Sequence, residues 1–423
     1  MVQWNILLIV FLVAFAASSV FRLLLAYMNV SHLRRHGHDV PEVFRGEIDE
    51  ATLARMTAYT AESARFGAVA HFFDDAVTLL VLLSGFLPLL VGIVLSWNLH
   101  FILSGLIFFG ALALLSGILD IPFSLYSTFV IEKRYGFSTI TARLWITDLI
   151  KSLLISAMLL GILSGAMLAL VYYAEHTWWL WAWLFFSAFQ MLIVWLYPIL
   201  IAPLFNKFEP IENEALKDAI IALMAKVGLK TGGVFQVDAG KRSKHTNAYF
   251  TGFGKTKRIV LYDTLLKSHA SEEILSVLAH EAGHWKKRHI IKQLILTETF
   301  SFVFLYLVYR LIDWSLLYQT FGFPEKIPYV GLLLIAALFG PAVFFLTPIG
   351  AMLTRRFERE ADDFCFNLVG TTVPMINALK RLAKDNLANL HPHPFYAWFY
   401  YSHPPLTERI ARLLRMRDLN KPG

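Results

Sequence analysis

The chain has 423 residues, 57% of them apolar and only 16% charged, against roughly 25% charged in an average soluble domain. Its mean hydropathy is +0.56, and Phe, Trp and Tyr together make up 15% of it. This excludes a disordered chain and argues against an ordinary soluble enzyme, because so much apolar surface needs lipid around it. The formal net charge of +7 reads as basic loops on one side of a membrane, with no nucleic acid implied. The single cysteine, Cys365, excludes an intramolecular disulfide and a cysteine-based zinc site.

Seven apolar runs are long enough to cross a bilayer, which takes roughly 20 residues each. In chain order they cover 4–30, 67–96, 101–128, 145–174, 177–204, 290–320 and 327–354. The first is too long for the apolar core of a cleaved signal peptide. Charge alternates along the connections. Arg34, Arg35, Arg45, Arg55 and Arg65 follow the first run, and Lys133, Arg134 and Arg143 follow the third. The connections after the second and fourth runs carry no Lys or Arg. The positive-inside rule then puts the N-terminus outside and two polar segments, about 206–289 and 355–423, in the cytoplasm. Trp178, Trp179, Trp181 and Trp183 at the start of the fifth run read as an interfacial aromatic belt. Asp74, Asp75, Asp120 and Asp148 (the last near Lys151) are ionisable groups at membrane depth, read either as functional or as pairs between helices.

Within the first polar segment the pattern predicts a helix over 213–227, strands at 233–237, 247–251 and 258–262, and a helix over 272–288. The Gly252-Phe253-Gly254 turn suits a hairpin between the last two strands. The second polar segment reads as helices broken by Pro392, Pro394, Pro404 and Pro405.

The chemistry is carried by His280-Glu281-Ala282-Gly283-His284, an H-E-x-x-H sequence. Ser271 is the expected N-cap of its helix, with Glu272 and Glu273 in the first turn. Histidines four apart share one helix face and can both reach one zinc ion. Glu281, at the edge of that face, is placed to act as general base on a metal-polarised water. Zinc needs a third protein ligand. Lys287 and Ile290 occupy the positions where a longer zinc signature needs Gly and His, and His289 lies too far round the helix. Glu358 and Asp362 share a face four residues apart. Two readings stay open for them: Glu358 as third ligand with Asp362 holding a ligand histidine, or a solvated charged helix. Glu360 and Asp363 read as solvated.

With those residues in view, the sequence resembles the Ste24 type of CAAX prenyl protease in the M48 metallopeptidase family. The resemblance rests on H-E-A-G-H-W followed by R-R-F-E-x-x-A-D. It extends to Phe129-Val130-Ile131-Glu132, Tyr197-Pro198, Ile201-Ala202-Pro203-Leu204-Phe205-Asn206-Lys207-Phe208, Lys241-Arg242-Ser243 and Asn247-Ala248-Tyr249-Phe250. Tyr401-Ser402-His403-Pro404-Pro405 leading to Glu408-Arg409 matches as well. The resemblance implies one zinc ion held by His280, His284 and Glu358, with Glu281 as catalytic base. It implies that Asn247 and Ala248 lie on the edge strand that pairs with substrate, that His403 binds the reacting carbonyl oxygen, and that Arg409 orients the site. The implied fold is an all-α polytopic membrane protein with seven helices enclosing a chamber. A small α+β, gluzincin-like zinc protease region sits on its cytoplasmic face.

The expected organisation is five membrane helices over 1–205, the H-E-x-x-H region over 206–289, two more helices over 290–354, and a tail over 355–423 that completes the metal site. The expected activity is zinc-dependent endoproteolysis near the C-terminus of peptides, with or without a prenyl group. A membrane quality-control protease of the HtpX type and a transporter or channel with a non-catalytic metal site are the rivals. The short sixth connection, and a tail ending Asn420-Lys421-Pro422-Gly423 without a dilysine signal, fit a bacterial inner membrane better than the endoplasmic reticulum.

Overall fold

The computed structural model describes residues 2–252 and 256–419. Positions 253 and 254 of the expected hairpin turn, and the tail 420–423, lie outside them. Among the described residues, seven helices are long and apolar enough to cross a membrane: Ile6–His36, Glu50–Leu83, Phe101–Arg134, Ala142–Tyr173, Trp178–Phe205, His289–Leu311 and Pro328–Phe345. The protein is an integral multi-pass membrane protein, with the number of spans that the loop charges imply.

Each span contacts its neighbours in chain order, with the short helix Phe86–Ser96 wedged between the second and third, and the seventh returns to the first. This is a closed ring. A solid bundle would bury an inward stripe at least ~100° wide on each helix. Here only 6% of the most apolar window is buried in the second and fourth spans, and none in the fifth. The ring therefore encloses a chamber. One end is closed by an apolar cap to which all seven spans contribute, including Leu8, Leu82, Phe108, Leu168, Trp178, Leu305 and Tyr329.

Several boundaries differ from the sequence reading. The second span starts at Glu50, so Arg55 and Arg65 ride on a helix that continues beyond the membrane. It ends at Gly85, whose φ of 85° starts a separate helix, Phe86–Ser96. The sixth span stops at Leu311, and Ser315–Thr320 forms a short helix of its own. The seventh stops at Phe345, and Pro348 opens a new helix, Thr347–Val369, where a proline in the first turn costs no hydrogen bond. Trp178, Trp179 and Trp183 pack inward against the sixth span, on Tyr309, Phe302 and Tyr306, while Trp181 faces outward. Only one tryptophan of the four thus keeps the exposure of an interfacial belt.

At the other end a four-stranded sheet has the order β1-β2-β4-β3, with β1 Phe208–Pro210, β2 Lys230–Val237, β3 Ala248–Thr251 and β4 Thr256–Tyr262. β3 is an edge strand, antiparallel to β4. β2 is longer than expected because Gly233, at φ 123°, sits in an irregularity of the β2–β4 pairing and does not end the strand. One face of the sheet packs on Glu214–Val227 and on the H-E-x-x-H helix, Ser271–Lys286, through Ile220, Ile259, Leu261 and Leu278. That helix is capped at Ala270, whose N–H donates to Glu273, so Ser271 is its first residue and not its cap.

Arg242 ties this unit to the ring. Its guanidinium makes two hydrogen bonds to Asp148 on the fourth span, at 2.7 and 2.9 Å, and one to Asn206 at 2.8 Å. Asp75 accepts a bond from Ser19 at 2.5 Å, and Lys151 donates to the Leu204 carbonyl at 2.7 Å. Asp148 and Asp75 therefore join elements, whereas Asp74 and Asp120 are exposed.

The H-E-x-x-H helix crosses Thr347–Val369 at Gly283. A Cβ built there would meet the Cα and carbonyl oxygen of Ala361 at 3.1 Å and the Cβ of Phe364 at 3.2 Å. Only a residue without a side chain lets the two backbones approach this closely. Gly283→Val is expected to cost ~1–3 kcal/mol through overpacking, read as a lower melting temperature in detergent. An unchanged melting temperature would show that the crossing has slack.

Candidate metal and active centre

The crossing at Gly283 places His280 and His284 on one helix opposite Glu358 on the other. The two histidine Nε2 atoms are 3.1 Å apart. Glu358 Oε2 stands 3.3 Å from His280 Nε2, and Oε1 stands 3.3 Å from His284 Nε2. Two ligands at zinc bonding distance and tetrahedral angle lie about 3.3 Å apart. These three residues form the one group of metal-ligand geometry found among the described residues. Glu358 Oε2 is buried with no hydrogen-bond partner, an arrangement that costs free energy unless a cation takes it up. The residues thus fit a divalent metal. Burial alone would raise the pKa of Glu358, yet the adjoining His280, His284 and Arg409 hold it far below the usual carboxylate range.

Asp362 and Arg409 stand behind His280. Asp362 is 1% exposed, and its Oδ1 lies 2.9 Å from His280 Nδ1. Arg409 clamps Asp362 with two bonds, Nε to Oδ2 at 2.8 Å and Nη2 to Oδ1 at 2.6 Å. Its Nη2 is also 3.0 Å from His280 Nδ1. A guanidinium only donates, so Nδ1 is satisfied as a donor to Asp362, which leaves the Nε2 lone pair facing Glu358 and His284. Against burial, Arg409 and His280 bring the Asp362 carboxyl down to about 2.

His284 has a matching support that sequence reasoning missed. His289 Nδ1 lies 3.0 Å from His284 Nδ1, and His289 Nε2 lies 3.1 Å from Glu360 Oε2. His289 stacks on Phe357 at 4.2 Å and is 2% exposed. It can return to the site because Arg288 adopts the left-handed conformation, φ 56°, and breaks the helix just before it. Continuing the helix past Arg288 hid this in the sequence. Glu360 is accordingly not a solvated residue, since it also accepts from Arg356 at 3.0 Å. Asp363 is half-exposed and paired with Arg412.

A cavity of about 530 Å³ opens over this group, lined by Glu281, Asn247, Ala248, Met375, Tyr401 and His403 among others. Glu281 shares it with His280 and Glu358. His403 Nε2 is 3.2 Å from Glu358 Oε1, and its Nδ1 is 2.9 Å from Ser402 Oγ. Asn247 and Ala248 lead into the unpaired edge of β3. Of the nine residues singled out from the sequence, seven line this cavity, and His284 and Asp362 stand against Glu358 and His280 at its edge.

Comparisons with known proteins agree along the whole chain. Residues 29–207 match the family described as CAAX prenyl protease N-terminal, five membrane helices, and residues 210–417 match peptidase family M48. A CAAX prenyl protease 1 homolog from rice is 36% identical, over 88% of this chain and 90% of its own. CAAX prenyl protease 1 from Saccharomyces cerevisiae is 33% identical, over 88% of each. The human CAAX prenyl protease 1 homolog is 32% identical, over 90% of each. The crystal structure of S. mikatae Ste24p superposes with a TM-score of 0.91 at 31% identity, covering 97% of this chain and 99% of that one. With its ring of seven spans and its H-E-x-x-H centre, the chain belongs to the Ste24-type CAAX prenyl protease family of M48 metallopeptidases.

Proposed function

We propose that this membrane metallopeptidase is a zinc endopeptidase that cuts near the C-terminus of prenylated CAAX-type peptides, from the cytoplasmic side. The observation that carries the reading is the grouping of His280 and His284, whose Nε2 atoms are 3.1 Å apart, each 3.3 Å from one oxygen of the Glu358 carboxylate, at a cavity bounded by an edge strand. In this reading the three residues hold one zinc ion. When bound, the ion supplies a Lewis acid that acidifies water and polarises a carbonyl. Glu281 takes the proton from the attacking water and returns it to the leaving amine. His403 donates to the carbonyl oxygen as negative charge builds on it. Asn247 and Ala248 offer backbone groups to an extended substrate, which lies alongside β3 as an added strand. Asp362 with Arg409, and His289 with Glu360, keep the ligand histidines in the tautomer that leaves a lone pair for the metal.

Loop charge supports the cytoplasmic side, because the basic connections lie on the side that carries the site. The short sixth connection favours a bacterial inner membrane as the setting.

Glu281→Gln is expected to lower kcat by roughly 10²–10⁴-fold while zinc content stays at one per chain. Wild-type cleavage by that variant would remove the mechanism. His403→Phe is expected to lower kcat by about 10²-fold with little change in bound zinc. Chelation is expected to abolish cleavage of a farnesylated CAAX peptide, and zinc to restore it. Equal kcat/KM for the unprenylated peptide would remove the prenyl group from the substrate assignment.

A further inference from the structure

Glu132 belongs to one of the matching segments, yet it lies outside the metal centre. It stands at the end of the third span, next to a π-helical turn at Ser127–Ile131. Its Oε1 accepts from the Tyr59 hydroxyl at 2.7 Å, and its Oε2 lies 3.2 Å from His245 Nε2. His245 is two residues before Asn247. Its other ring nitrogen, Nδ1, lies 2.8 Å from Asn386 Oδ1. Phe137 stacks on the imidazole at 4.0 Å, and Thr264 donates to the His245 carbonyl at 2.9 Å.

The amide of Asn386 has a fixed orientation. Its Oδ1 accepts from the Thr246 N–H at 3.3 Å, and its Nδ2 donates to Thr246 Oγ1 at 3.3 Å. Turning it over would aim its NH₂ at a backbone N–H. His245 therefore faces an acceptor at each nitrogen, a carboxylate on one side and an amide oxygen on the other. A neutral imidazole can donate to only one of them. Thr246, Asn247 and Asn386 all line the cavity over the metal centre, so this clasp sets the position of the strand entrance.

We propose that His245 is a positioning residue, bridging Glu132 of the membrane ring to Asn386 of the C-terminal region and so holding the edge of β3 in place for substrate. The proposal rests on the reading that substrate pairs with Asn247 and Ala248. Glu132 is the charged group bonded to the ring among the described residues. Tyr59 reaches the same carboxylate, and Phe137, Thr264 and Asn386 are the uncharged groups that touch His245 from other elements.

The test uses the full-length protein in detergent, with kcat and KM for a CAAX peptide measured and zinc content checked. Glu132→Gln removes the carboxylate on one side of the ring. It is expected to raise KM about tenfold, the worth of one charge-assisted hydrogen bond, and to leave kcat within about twofold. Asn386→Leu removes the acceptor on the other side and is expected to raise KM with kcat likewise held. A rise in KM at held kcat supports the proposal. An unchanged KM, or a loss confined to kcat, overturns it. If Glu132→Gln fails to fold, the Asn386→Leu result decides alone. Glu281→Gln runs beside them. If it is inert while the other two variants keep the wild-type KM, only the His245 proposal falls; if it cleaves like wild type, the protease reading falls.

Discussion

The architecture depends on one close approach of two helices. His280 and His284 come from the segment before the sixth span, and Glu358 comes from the segment after the seventh. Two membrane crossings intervene, which also fixes both polar regions on the same side of the bilayer. The crossing at Gly283 and Ala361 closes the distance. It buries a concentration of charge that would be unfavourable by itself. Glu358, Asp362 and Arg409 are 5%, 1% and 7% exposed. Two carboxylates against one guanidinium leave one negative charge uncompensated in a region of low dielectric, where an unpaired charge is expensive. The geometry thus pairs Arg409 with Asp362 through hydrogen bonds and leaves Glu358 Oε2 with only a longer contact to Arg409 Nη1, at 3.6 Å. The ligand triangle is the place in the network where a cation removes the deficit.

Orientation of the histidines follows from the same economy of donors and acceptors. Each ligand imidazole has its rear nitrogen against a supporting group, Asp362 for His280 and His289 for His284. Each support is itself held, Asp362 by Arg409 and His289 by Glu360. Three of these four supports come from two helices beyond the seventh span, Thr347–Val369 and Leu406–Leu419. A truncation that spared the H-E-x-x-H helix would still strip the site of its carboxylate ligand and of most of its rear wall.

The spans and the grouping of His280, His284 and Glu358 were legible in the sequence because each rests on a periodic or compositional signal. Apolar runs of bilayer length, alternating loop charge and histidines four apart survive any detail of packing. Glu358 was found with its partner Asp362 because the two share a face of a strongly patterned helix. What stayed hidden depends on single backbone conformations. Arg288 at positive φ brings His289 and Glu360 to the site, and no periodicity signals it. Gly233 lies within a strand irregularity where a glycine pair reads as a strand end. The start of the carboxylate helix at Thr347 was obscured by apolar residues running through the break, although Pro348 marks it. His245 and Glu132 are 113 residues apart, and only the tertiary fold brings them together.

The chamber and the site constrain each other through the chain path. The H-E-x-x-H helix ends at Lys286 and the sixth span begins at His289, so the metal centre sits at the membrane boundary. The wall below it is the ring of spans, tied to the sheet through Arg242 and Asp148 and to the strand entrance through Glu132 and His245. On the proposed reading, a substrate strand along β3 would lie in the cavity that Tyr401 and His403 of the C-terminal segment also line.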